Sequence, residues 1–102
     1  VIVAVYTWKV KPGFEEQFQE GWRLGTERGV REFGSGGSAL CKMDDGTWMG
    51  VARWSDRGAL ERFRARSPDP EQVRLLTESV DEAHVLFEGV CLNDLWTPLS
   101  PA

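Results

Sequence analysis

The chain has 102 residues, 12 of them Lys or Arg and 16 Asp or Glu, for a formal charge of −4. That length makes one domain with a modest core, and the acidic balance argues against a nucleic-acid binder or a polybasic membrane anchor. Two cysteines, Cys41 and Cys91, are too few for a disulfide scaffold, and the single histidine, His84, excludes a multi-histidine metal site. No apolar run approaches the roughly 20 residues that span a bilayer. No secretory leader is read at Val1 to Val5, so the expected location is the cytoplasm. Five Trp, five Phe and one Tyr are more aromatic surface than a small core needs. They line a pocket, fill an interface or crowd the core, and composition leaves all three open.

Ile2 to Val10, IVAVYTWKV, reads as a strand rich in β-branched and aromatic residues. Val1, Val3 and Val5 form one alternating set, and Ile2, Ala4, Tyr6 and Trp8 the other. A strand apolar on both faces is covered on both. One layer of helices covers only one side, so the other side calls for a second subunit. Pro12-Gly13 marks a turn. Phe14 to about Phe33 then reads as a helix, with Phe14, Phe18 and Trp22 on one face. Glu15 and Glu16 in the first turn and Arg28 and Arg31 in the last suit the helix dipole, and Gly34 is the expected stop.

Gly21, Gly25 and Gly29 lie on that same helix face. Each costs about 1 kcal/mol relative to Ala in a helix interior. Either something needs the space (a ligand, a large side chain or an approaching backbone) or the helix breaks near Gly25.

After a Gly/Ser-rich stretch, Ser38 to Met43 and Thr47 to Trp54 read as two strands of a hairpin around Asp44-Asp45-Gly46. Ser55 or Asp56 caps a short helix through about Arg66, with Ala59, Leu60 and Phe63 inward. Asp69 and Pro70 then open another helix with Val73, Leu76 and Val80 as its apolar stripe. Ala83 to Leu95 reads as the last strand, and residues 97–102 as a loose tail after a domain of residues 1–96. The fold class is α+β. The order β-α-β-β-α-β predicts a ferredoxin-like fold, a four-stranded antiparallel sheet with helices on one face.

The segments VYTWKVKPG, FEEQFQEGW, DGTWMGVARWSD and RGALERF together resemble antibiotic-biosynthesis-monooxygenase-type domains of the dimeric α/β-barrel superfamily. The resemblance spans about residues 1–96. It implies a homodimer whose sheets meet face to face, a dimeric α/β barrel. It also implies a pocket for a planar aromatic compound between sheet and helices. Enzymes of this type include oxygenases that attack anthrones or quinols with no metal or flavin, and the resemblance therefore implies no cofactor. Other members degrade heme. Their strand Asn, helix Trp and proximal His fall here at Tyr6, Phe63 and about Val73. With no axial ligand in place, heme chemistry is not expected. The anthrone-oxidising members carry a Trp matched here by Trp54. Their Asn four residues earlier is replaced by Gly50.

The candidate site follows from these residues. Tyr6 is a candidate catalytic residue that hydrogen-bonds a phenolic oxygen, and His84 a candidate base because histidine is the side-chain type whose charge ordinarily changes around neutral pH. Trp22, Gly25, Trp54 and Phe63 are candidates for holding a flat ring. Arg53 alternates with Trp54 and points to the opposite, subunit-facing side. Two functions are expected from different classes: a cofactor-independent monooxygenase acting on an anthrone-, quinol- or phenol-like molecule, or a dimeric binding or structural module without catalysis.

Overall fold

The computed structural model describes residues 1–99. Seven elements run in order: β1 (Ile2–Val10), α1 (Glu15–Glu32), β2 (Ser35–Lys42), β3 (Trp48–Trp54), α2 (Arg57–Arg64), α3 (Pro70–Ser79) and β4 (Val80–Val90). The strands form one sheet in the order β2-β3-β1-β4, and every neighbouring pair is antiparallel. This is the ferredoxin-like arrangement, with the second helical region divided into α2 and α3.

Local chemistry explains the breaks. Gly13 takes φ +86° behind Pro12, where the Phe14 amide donates to the Lys11 carbonyl. Gly34 ends α1 at φ +76°, a conformation cheap only for glycine. Gly46 closes the β2–β3 turn at φ +88°, and the Asp45 carboxylate accepts from the Thr47 amide. Asp56 caps α2 through the Ala59 amide, and Asp69 caps α3 through the Glu71 amide, with Pro70 in the first turn.

Ile2, Ala4, Trp48, Ala52 and Trp54 line the helix-covered face of the sheet, and Phe18, Ala59, Leu60 and Leu75 press on it from the helices. Phe18 is fully buried between Trp8 and Trp48, edge-on to both.

Three expectations are corrected. β2 starts at Ser35 rather than Ser38, because an irregularity between Ser35 and Ser38 absorbs the glycines instead of leaving them as a loop. β4 runs from Val80 to Val90, earlier than Ala83 to Leu95, so Val80 pairs with Val10 in the sheet. A register shift between Val5 and Tyr6 also separates the faces of β4. Val85 therefore follows Tyr6, whereas Phe87 follows Val5 on the other face. Finally, α3 buries Gln72, Leu75 and Ser79, while Val73 is 42% exposed. The reason is its partner: α3 docks on the glycine face of α1, and that groove selects its inner side chains. The tail residues 97–99 carry no regular structure, and 100–102 lie outside the described residues.

Candidate functional site

Alternation along β1 sends Tyr6 and Trp8 to the helix side, where their rings stack at 5.9 Å with planes 20° apart. From β3, Gly50 and Trp54 share that side, and from α1 come Trp22, Gly25 and Gly29. Between them lies a cleft of about 250 Å³. Phe63 and Arg66 close one end, and Gln72 and Leu76 of α3 the other wall.

The glycines of α1 have a physical explanation. A side chain at Gly21 would meet Leu76 at 2.9 Å, and one at Gly25 would meet the Gln72 amide at 2.6 Å. A methyl at Gly29 would press on Phe63, Ser35 and Trp54 at 3.3–3.4 Å. The helix is unbroken through all three. Gly21 and Gly25 thus admit α3, while Gly25 and Gly29 also form wall. Gly50 has the tightest reason. A Cβ there would lie 2.7 Å from the Trp8 ring, and the Trp22 indole nitrogen is 3.8 Å from the same point. Trp8 therefore fills the space that a side chain at position 50 would take.

Tyr6, Trp22, Gly25, Trp54 and Phe63 all line this one cleft. His84 does not. It pairs with Thr7, which alternates with Tyr6 and Trp8, so its ring lies on the opposite face of the sheet. There it is exposed, 3.6 Å from the Glu82 carboxylate. The expectation that His84 serves this cleft as a base is corrected by that register. Trp8, Gln72 and Arg66 belong to the wall without having been singled out. Trp8 was readable from its alternation with Tyr6. The other two depend on how α3 and its preceding loop fold back.

The wall has few charges. Arg64 and Arg66 contribute cations, and no Asp or Glu lines the cleft. Arg64 is paired with Glu88 of β4. Arg66 lies with its guanidinium 3.7 Å above the centre of the Phe63 ring, and its Nη1 donates to the Phe63 carbonyl at 2.8 Å. Its Nε is buried with no acceptor. Burial holds the Arg66 pKa below the usual guanidinium value; the like charge of Arg28 acts in the same direction, and Tyr6 opposes both. The indole nitrogen of Trp54, a residue only 4% exposed, is likewise buried without an acceptor. No cluster of three His, Cys, Asp or Glu suited to a metal ion exists among the described residues. Chemically, the cleft offers aromatic faces for a flat ring. Hydroxyl, indole, amide and guanidinium groups stand ready for its oxygens.

No protein-family model and no curated protein matches the chain. Solved structures do. A variant of SnoaB, a cofactor-independent oxygenase from Streptomyces nogalater, aligns with TM-score 0.75 at 17% identity, covering 92% of this chain and 95% of that one. A Bordetella bronchiseptica protein named as a candidate antibiotic biosynthesis monooxygenase aligns with TM-score 0.74 at 22% identity, over 90% of this chain and 97% of the other. Rv0793 from Mycobacterium tuberculosis gives TM-score 0.70 at 15% identity, over 93% and 98%. The chain thus has the fold of the antibiotic biosynthesis monooxygenase-type proteins that its sequence resembles.

Proposed function

We propose that the protein is a cofactor-independent monooxygenase acting on a planar aromatic molecule of the anthrone, quinol or phenol kind. The observation that carries this reading is the convergence of Tyr6, Trp22 and Trp54 on one cleft. The shared fold with SnoaB supports it. In this reading Trp22, Trp54 and Phe63 hold the ring, and Gly25 lets the Gln72 amide approach the cleft wall that faces its edge. The Tyr6 hydroxyl donates to a ring oxygen and stabilises the enolate or phenolate that forms when the substrate loses a proton. That electron-rich anion reacts with dioxygen. For an anthrone, one CH2 becomes a carbonyl, which keeps one oxygen atom, and the second oxygen leaves as water. His84 is too misplaced to take the proton within this cleft, so the proton passes to solvent.

The working form is a homodimer in the cytoplasm. The exposed apolar face of the sheet is covered by a second copy, giving the dimeric barrel.

A second reading, a dimeric binding module without catalysis, is favoured by one observation. Trp8 occupies the space at Gly50 where the resemblance implies a hydrogen-bonding Asn.

Oxygen consumption separates the two. With an anthrone, a hydroxynaphthoquinone and a simple phenol as substrates, the first reading expects uptake that falls in Tyr6→Phe with little change in KM. Saturable binding without uptake selects the binding module, and neither binding nor uptake rejects the site.

A further inference from the structure

We infer that the ligand of this cleft is an anion, an aromatic acid whose carboxylate is received by Arg66. The inference rests on the reading of the cleft as a site for flat aromatic molecules and specifies their charge. Three observations carry it. First, the wall holds two arginines and no carboxylate, so its net charge is positive although the whole chain is acidic. Second, the two arginines differ. Arg64 is neutralised by Glu88, whereas among the described residues Arg66 has only a carbonyl and the Phe63 ring as partners, with Arg28 adding repulsion. A half-buried guanidinium without a counter-ion is costly, and an incoming anion relieves that cost. Third, the Nε of Arg66 and the Nε1 of Trp54 are both buried donors lacking an acceptor. Buried donors are nearly always satisfied, and here both sit on residues of the cleft.

The geometry favours a carboxylate over a lone oxygen. Nη1 is committed to the Phe63 carbonyl, which leaves the Nε side of the guanidinium for a forked contact. A small shift of the side chain off the Phe63 ring would expose that edge. Both Trp54 and Arg66 pack on Phe63, Trp54 at 4.8 Å between ring centres. A flat acid in the cleft would thus meet the Arg66 cation at the end closed by Phe63 and Arg66.

The test is a fluorescence titration of the whole protein with 2-naphthoate and with its methyl ester, matched in shape and differing in charge. Wild-type protein is expected to bind the acid about tenfold more tightly than the ester. Arg66→Gln should remove that preference by weakening the acid about tenfold more than the ester, and Arg66→Lys should restore part of it. Far-UV circular dichroism confirms that both variants fold. Equal affinity for acid and ester in the wild type, or a preference untouched in Arg66→Gln, overturns the inference and leaves the aromatic site standing. Failure of both compounds to bind overturns the inference together with the site.

Discussion

On one face of the sheet Ile2, Ala4, Ala52 and Trp54 are at most 7% exposed, whereas on the other Phe87 is 68% exposed and Val3, Val5 and Val51 remain only half-buried. The residue types scarcely differ. What differs is coverage: α1, α2 and α3 all pack on the first face, whereas among the described residues no helix covers the second, where Arg53 donates to the Asp94 carboxylate of the C-terminal segment. The covered face also holds its space unevenly. Around Phe18 it is filled by interlocking rings, while between Trp22 and Trp54 it opens into the cleft. The bare face is where the proposed second copy would sit, and the cleft in an otherwise tight layer is where the proposed ligand would sit.

Substitutions should break the two faces in different ways. Phe18→Ala removes the ring wedged between Trp8 and Trp48. It should cost about 3–5 kcal/mol in urea unfolding. A loss below 1 kcal/mol would mean that this layer repacks easily. Val51→Lys acts on the bare face. If a second copy covers that face, the charge is buried without a partner and association should weaken at least about a hundredfold. Sedimentation equilibrium would then show a mass near 11.5 kDa for the variant and near twice that for the wild type. A wild-type monomer at micromolar concentration removes the barrel.

Gly50→Ala sharpens the contrast within the covered face. The added methyl meets the rigid Trp8 ring at 2.7 Å, so the ring must move against Tyr6 and Phe18. The expected loss is about 1–3 kcal/mol, with a changed near-UV circular dichroism spectrum. An unchanged spectrum would show that Trp8 does not depend on the glycine.

The smallest effect lies at the edge of the bare face. Hydrogen bonding and charge from Lys9, then His84, hold the Glu82 carboxyl below its ordinary value of 4.5. A carboxyl lowered on folding contributes stability above its unfolded pKa and loses it as pH falls through the folded one. The difference between wild type and Glu82→Gln should therefore be small at neutral pH and close below about pH 4.5. A difference that widens in acid would contradict this pairing.

Much of this was legible in the residues. Pro12-Gly13, Asp44-Asp45-Gly46, Asp56 and Asp69 each mark a boundary by local chemistry, and the structure places its turns and caps there. Tyr6, Trp22, Gly25, Trp54 and Phe63 reach one cleft because strand alternation and helix periodicity decide their faces. Pairing was not legible. The register shift beside Tyr6 changes which face Phe87 occupies, and the partner of His84 is decided only when β4 docks on β1. Gln72 and Arg66 were hidden for a similar reason. Their place depends on α3 settling into the glycine groove of α1, a tertiary event that no local pattern encodes.

The opening in the covered face is the proposed binding site for a flat aromatic molecule. Tryptophan fluorescence during titration with an anthrone, corrected for absorption by the ligand, tests it most directly. Trp22 and Trp54 line the cleft, so saturable quenching with one site per chain is expected. Quenching that rises without saturation would contradict it and return the tryptophans to core and interface.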